Sequence, residues 1–316
     1  MKILVTGGAG FIGSHIVEYF HRQSEVRVLD NLRSGCRQNL VGLHHDFIQA
    51  SILDRLLVRQ AVTGVDYVFH LAAMISVPES VQKPDECREI NTNGTLILLE
   101  ESARAKVRKL VFSSSAAIYG NNPTAPHAET TPPAPNSPYA SSKLAGENLC
   151  RQFDEARLLS TTCLRYFNVF GPRQNPRGEY AAVVPVFIVD ALRHQPLTIY
   201  GDGGQTRDFT YVNDIVSANV FFATQYHAGN VINVASGRSI AIKELAQQIC
   251  ALADSRSQIR HNHERPGDIK HSLAVVEKLR ATGFPPPASF VNGLKITIES
   301  FQNPAVFPMT SLCHGV

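Results

Sequence analysis

A chain of 316 residues, 44% hydrophobic and 18% charged, can bury a sizeable core as one large domain or two interlocked ones. Its formal net charge of +3, with no long basic run, argues against nucleic acid or membrane as a partner. Six scattered cysteines (Cys36, Cys87, Cys150, Cys163, Cys250 and Cys313) lack a CxxC pair and suit reduced thiols better than a disulfide framework.

Lys2 to Thr6 is a short apolar run that reads as a buried strand. Because it starts at the first residues, no cleavable leader is expected. No apolar run is long enough to span a bilayer, and a cytoplasmic protein is expected. Gly7, Gly10 and Gly13 follow, then Ser14 to Phe20 at helical spacing and a second strand, Val26 to Leu29, ending on Asp30. Leaving a strand and entering a helix within a few residues requires glycine. So does close backbone approach to a pyrophosphate, which the free N–H groups of a helix start can bind. Asp30 lies about 20 residues further on, where a carboxylate can accept both hydroxyls of an adenosine ribose. Together these features predict a dinucleotide site.

Asn31 to Gly35 reads as a turn under the adenosine, with Asn31 and Ser34 as polar contacts. Phe47 to Ile52 reads as a third strand, Asp54 to Val62 as an amphipathic helix, and Val65 to Leu71 as a fourth strand running into Ala72 and Ala73. Small residues at that strand end let a cofactor lie over the sheet edge. A helix over Asn91 to Lys106 and a strand over Lys109 to Ser113 continue the alternation, which predicts an α/β fold with a doubly wound parallel sheet. Pro123 to Pro138 must be a loop. Asn136, Ser137 and Pro138 supply the cap and first turn of a helix from about Tyr139 to Phe153, followed by a strand over Thr161 to Tyr166. From Gly171 the rhythm loosens, as in a smaller mixed α/β lobe, before strand Val231 to Val234 and helix Ile242 to Ala253. Residues 1–171, with part of about 208–235 returning to them, are expected to form the dinucleotide-binding domain. Residues 172–207 and 236–301 are assigned to the substrate lobe and 302–316 to a tail. His44, His45, His261 and His263 read as solvated loop histidines, not metal ligands.

Tyr139 and Lys143 are four apart and share a helix face. A tyrosine hydroxyl is a poor base near neutrality, but a neighbouring ammonium and an oxidised nicotinamide would favour the phenolate. Ser113, Ser114 and Ser115 close a strand and offer a second hydroxyl that could bridge Tyr139 to a substrate oxygen.

From Lys2 to about Phe301 the chain resembles the extended short-chain dehydrogenase/reductase family and, within it, the UDP-hexose 4-epimerases. The motifs are TGGAGFIG (Thr6 to Gly13), DNLRSG (Asp30 to Gly35), HLAA (His70 to Ala73), SSSAAIYG (Ser113 to Gly120), YASSK (Tyr139 to Lys143), RYFNVFGPRQ (Arg165 to Gln174), GDGGQTRDFTYVND (Gly201 to Asp214) and RPGD (Arg265 to Asp268). The resemblance implies a Rossmann domain holding tightly bound NAD. It makes Tyr139 the base, Lys143 its electrostatic partner and Ser115 the hydroxyl beside the sugar O4. Cofactor contacts are implied at Gly7, Gly10, Phe11, Ile12, Gly13, Asp30, Asn31, Ser34, Gly35, Ser51, Ile52, Leu71, Ala72, Ala73, Ser113, Tyr139, Lys143 and Tyr166. The UDP-sugar side is implied at Ser76, Ser115, Tyr139, Asn168, Val184, Tyr200, Arg207, Arg265, Asp268 and Ser272. Both arginines are side chains suited to bidentate phosphate contacts.

The expected reaction is NAD-dependent 4-epimerisation of a UDP-sugar through a transient 4-keto intermediate. Related dehydratases carry an Asp-Glu pair after the first Ser-Thr of the strand end, and sugar-acid decarboxylases keep a Glu there; the corresponding residues in this chain are Ser115 and Ala116. Other sugar-nucleotide epimerases, dehydratases or reductases are the alternative, followed by a non-catalytic NAD sensor. Asp30 favours NAD over NADP, an argument that Arg33 weakens. Two departures from the resemblance stand out. Ser51 replaces an Asp that many relatives place beside the adenine. Ser272 replaces a bulky residue, as in members handling N-acetylated sugars, so UDP-GlcNAc and UDP-GalNAc are expected substrates, alongside UDP-Glc and UDP-Gal. The resemblance also implies a homodimer through the helices at 91–106 and 139–153.

Overall fold

Ile3, Leu4 and Val5 have no exposed surface, as a parallel strand covered by helices on both faces requires. They lie in β1 (Lys2–Thr6), at the centre of a computed structural model that describes residues 1–122, 125–177, 181–226, 231–264 and 269–302. The chain continues through α1 (Phe11–Phe20), β2 (Glu25–Asp30), β3 (Asp46–Gln49), α2 (Arg55–Val62), β4 (Tyr67–His70), α3 (Val77–Gln82), α4 (Pro84–Arg88), α5 (Gly94–Arg104), β5 (Lys109–Ser115), α6 (Pro138–Glu155) and β6 (Ser160–Tyr166). Then come β7 (Val169–Phe170), α7 (Val183–Leu192), β8 (Leu197–Tyr200), β9 (Thr206–Arg207), β10 (Thr210–Tyr211), α8 (Val212–Thr224) and β11 (Val231–Val234). The described chain ends with β12 (Ile240–Ala241), α9 (Ile242–Leu252), β13 (Ile259–Asn262), β14 (His271–Ser272), α10 (Glu277–Ala281) and α11 (Phe290–Gln302).

Seven parallel strands form the main sheet in the order β11-β6-β5-β4-β1-β2-β3. The chain winds outward from β1 to β3, then returns to place β4 on the other side of β1. Between β1 and β4 the winding reverses, which opens a crevice above the strand ends. Ile16, Val17 and Phe20 of α1 and Ile215 and Phe222 of α8 cover one face. Val58 and Val62 of α2, Leu98 of α5 and Cys150 of α6 cover the other. Beyond β6, α7, α9 and α11 enclose a separate core around Phe187, Leu245 and Leu294.

Several boundaries differ from the sequence reading. β3 ends at Gln49, which leaves Ser51 and Ile52 in the crevice instead of the sheet. β5 runs to Ser115 because β6 supplies partners that far, with Ser115 opposite Tyr166. The expected helix over 91–106 is α5, entered through a wide turn at Glu89–Asn93. Here Asn91 turns its side chain inward, accepting from Met74 N (2.7 Å) and donating to Met74 O (3.0 Å) and Ser142 Oγ (2.9 Å).

Cys87, Cys150, Cys163 and Cys250 are free thiols, but Cys36 is disulfide-bonded, against the expectation that every cysteine is reduced. His261 lies in β13, not in a loop, and its Nδ1 is 2.8 Å from Gly201 O. Among the described residues no helix is long and apolar enough to cross a membrane. The tail beyond Gln302 lies outside them.

Candidate active site

The glycine loop is shaped by contacts that allow no side chain. A Cβ on Gly13 would lie 2.2 Å from Gly7 O, and one on Gly7, at φ +69°, would meet Ala72 N at 2.7 Å. The loop therefore lies directly against the end of β4. Gly10 caps α1 with no side-chain acceptor, and no acidic residue occupies the first turn. The N–H groups at this helix start remain available to an anion.

Asp30 ends β2 with its carboxylate turned toward that loop. Oδ2 accepts from Ala9 N at 3.0 Å and Oδ1 from Leu32 N at 2.8 Å. The carboxylate thus ties the glycine loop to the 31–35 turn. Burial raises its pKa, while the two backbone donors oppose the shift.

Above the strand ends lies a cavity of about 1170 Å³. All residues expected to contact the cofactor border it: Gly7, Gly10, Phe11, Ile12, Gly13, Asp30, Asn31, Ser34, Gly35, Ser51, Ile52, Leu71, Ala72, Ala73, Ser113, Tyr139, Lys143 and Tyr166. These come from six strand ends and two helix starts, so the fold, not proximity along the chain, assembles them.

Helix α6 brings in Tyr139 and Lys143. Ser137 caps it, accepting from Ala140 N at 3.1 Å, and Pro138 occupies its first position, as the sequence predicts. Ser80 Oγ accepts from Tyr139 N at 3.2 Å, so α3 also holds this helix start. The Tyr139 hydroxyl lies beside Ser115; burial raises its pKa, and the serine acts against that shift. Lys143 is 5% exposed, and its Nζ donates to Ser113 O at 2.9 Å. Burial pulls this ammonium down to about 8.

A second tyrosine, Tyr166, reaches the same cavity but is chemically distinct. Its hydroxyl is 3.1 Å from Ser113 Oγ and bonded to Asn219, and burial pushes its pKa up to about 12. Beneath Ala72, the His70 ring sits between Thr6 Oγ1 (2.8 Å) and Thr95 Oγ1 (2.9 Å). Burial brings its pKa down to about 3, so it stays neutral.

On the substrate side, Ser76 and Arg207 border the cavity together with Tyr139. Ser115 adjoins it only through Tyr139. Five described residues of the expected set do not border it, Ser115 among them. Val184 packs into the α7 core, and Asn168 donates from Nδ2 to Asp208 O at 3.1 Å. Tyr200 ends β8, and Ser272 lies on β14 paired opposite Arg207. Arg265 and Asp268 lie outside the described residues.

Arg33, weighed above against Asp30, borders the cavity, as do residues not assigned to the site from the sequence, among them Asn39, Glu79, Ser137, Arg173 and Arg177. Asn39 Nδ2 donates to Ala9 O at 2.9 Å, and Arg173 Nη1 to Asn39 O at 3.2 Å, linking the glycine loop to the segment after β7. Arg33 pairs with Glu79 and Glu86. Motif spacing gives no sign of these contacts, which join residues 30 to 134 positions apart.

A doubly wound sheet, a glycine-lined helix start and a Tyr/Lys pair over the β5 end define a dinucleotide-dependent enzyme of the short-chain dehydrogenase/reductase type. Residues 3–235 match the model of the NAD dependent epimerase/dehydratase family, and the chain belongs to that family. NAD is its cofactor, and the glycine cradle beside Asp30 fits that molecule.

Among solved structures, the chain is similar to UDP-N-acetylglucosamine 4-epimerase from Methanobrevibacter ruminantium in complex with UDP-N-acetylmuramic acid. The two are 41% identical with a TM-score of 0.92, covering 95% of this chain and 98% of the other. UDP-glucose 4-epimerase from Thermotoga maritima with UDP-glucose is 39% identical with a TM-score of 0.90, covering 96% and 99%. A UDP-N-acetyl-alpha-D-glucosaminuronate decarboxylase from Bacillus cytotoxicus is 36% identical, covering 95% and 98%.

Proposed function

We propose that this chain interconverts a UDP-sugar with its C4 epimer, and that UDP-N-acetylhexosamines are substrates alongside UDP-hexoses. The observation that carries this reading is Tyr139 standing beside Ser115 and Lys143, with no unengaged carboxylate bordering the cavity among the described residues. Among the described residues bordering the cavity the only carboxylates are Asp30 and Glu79. The first is bonded to two backbone N–H groups and the second to Arg33. Elimination or decarboxylation calls for a further proton donor, and neither Ser115 and Ala116, where such relatives carry acids, nor Ala117 after them supplies a carboxyl group.

NAD held by the glycine loop and Asp30 would supply the hydride acceptor, and then the hydride donor, for the sugar C4. Tyr139 takes the O4 proton, Ser115 holds that oxygen in line, and Lys143 favours the phenolate by its charge. Tyr166, whose hydroxyl is bonded to both Ser113 and Asn219, supports the β5 end and leaves proton transfer to Tyr139. Arg207 would pair with the diphosphate while the keto sugar turns about it, presenting its other face to the cofactor. Ser272, opposite Arg207 in the β9–β14 pair, is a small side chain consistent with an N-acetyl group. Similarity to a UDP-N-acetylglucosamine 4-epimerase supports the same preference. A homodimer through α5 and α6 completes the proposal.

Incubation with UDP-GlcNAc, UDP-Glc, UDP-glucuronate and dTDP-glucose, with products followed by NMR, tests the reading. C4 epimers without net NADH are expected; a 4-keto-6-deoxy sugar or a decarboxylated product would reject it. Tyr139→Phe should lower turnover by roughly a thousandfold and Ser115→Ala by roughly ten- to a hundredfold. Light scattering on the purified protein tests the dimer.

A further inference from the structure

Arg33 lies three residues after Asp30 and borders the adenosine end of the cavity. A guanidinium there would ordinarily invite a ribose 2′-phosphate, just as the carboxylate invites the free hydroxyl. The two residues therefore point to opposite cofactors. The structure resolves the conflict from outside the turn. Arg33 Nη2 donates to Glu79 Oε1 at 2.7 Å and Nη1 to Glu86 Oε1 at 2.5 Å. One carboxylate comes from α3 and the other from α4, so both branches of the guanidinium are occupied. The Lys83 ammonium stands 3.7 Å from Glu79 and 3.8 Å from Glu86, and the four charges of the cluster cancel. What faces an incoming ribose is the carboxylate of Asp30.

We infer that Glu79 and Glu86 set the cofactor selectivity of this chain by capturing Arg33, which would otherwise bind a 2′-phosphate. The pair acts through Arg33 and positions it; neither carboxylate touches the reacting atoms. A 2′-phosphate carries between one and two negative charges near neutrality. To reach Arg33 it would have to displace two carboxylates that are already bonded, beside a third on Asp30. With Glu79 and Glu86 neutralised, the guanidinium is released within the same turn and only Asp30 opposes the phosphate.

The inference depends on NAD being the cofactor and not on the sugar, so its test omits sugar altogether. The purified protein is incubated with NADP, and with labelled NAD in parallel. The bound dinucleotide is then identified by chromatography after denaturation. For Glu79→Gln/Glu86→Gln, retention of NADP relative to NAD should rise at least tenfold over the unmodified protein. The gain should shrink as salt is raised, since both groups are partly exposed. Adding Arg33→Ala to this variant should abolish the gain, and Arg33→Ala alone should leave the NAD preference within threefold. An unchanged ratio in the double variant, or a gain that survives removal of Arg33, overturns the inference. So does a tenfold change in preference from Arg33→Ala alone. Each single glutamine variant, expected to fall between the extremes, gives the same readout if the double variant folds poorly.

Discussion

The Lys143 ammonium donates to the carbonyl of Ser113 at 2.9 Å, which anchors the buried cation of the site to the end of β5. One hydrogen bond therefore fixes the helix carrying Tyr139 against the strand carrying Ser115. The arrangement has an energetic cost, because the charge is almost wholly removed from water.

That cost predicts a gain in stability on removing the charge. Folding lowers the Lys143 pKa from 10.5 to about 8. Below pH 8 both the folded and the unfolded chain carry the proton, so the folded state bears the full penalty of roughly 3 kcal/mol. Between pH 8 and 10.5 the unfolded chain binds more protons, and the penalty fades as pH rises. Lys143→Met should raise the melting temperature by about 2 °C or more at pH 7, after allowing about 1 kcal/mol for the lost hydrogen bond. The gain should shrink toward pH 10.5, as calorimetry across pH would record. Turnover should fall by roughly a hundredfold or more.

His70 predicts sensitivity to acid. It is 1% exposed, and its pKa falls to about 3 from an ordinary 6.5. The unfolded chain takes up this proton below pH 6.5 and the folded chain does not. The stabilisation is therefore complete above 6.5 and is lost progressively as pH falls toward 3. The loss should amount to about 1.4 kcal/mol per pH unit from this group. His70→Gln should flatten the dependence while lowering stability at pH 7, because Thr6 and Thr95 lose fitted partners. Urea midpoints measured from pH 7 to pH 4 decide it.

Glu147 of α6 and Arg165 of β6 form a buried ion pair at 2.7 Å. Ser114 donates to Glu147, Arg165 donates to the Tyr119 hydroxyl, and Tyr119 donates to Asn233, so β5, α6, β6 and β11 are linked in one chain of bonds. Glu147→Ala should cost about 3 to 5 kcal/mol by stranding a buried guanidinium. Glu147→Leu with Arg165→Met should recover most of that loss. Equal losses in the single and double variants would show that the charge left behind is not what destabilises the protein. Chemical denaturation separates the two outcomes.

Much of this molecule was legible in its residues before any coordinates. The strand–glycine–helix–strand run, Asp30, and the capped helix presenting Tyr139 and Lys143 are local patterns, each set by spacing, backbone freedom or a side-chain cap. All eighteen residues assigned to the cofactor border one cavity because parallel strands deliver their ends to one edge of the sheet. Tertiary structure alone decided what depends on distant partners. It decided that Arg33 is held by Glu79 and Glu86, that Lys143 is buried against Ser113, and that Tyr166 is engaged by Asn219 while Tyr139 is left to Ser115. Periodicity reports which face of an element is apolar, but not which charge lies across the cleft. A charged or polar side chain acquires its chemistry from neighbours that only the folded chain brings within 3 Å.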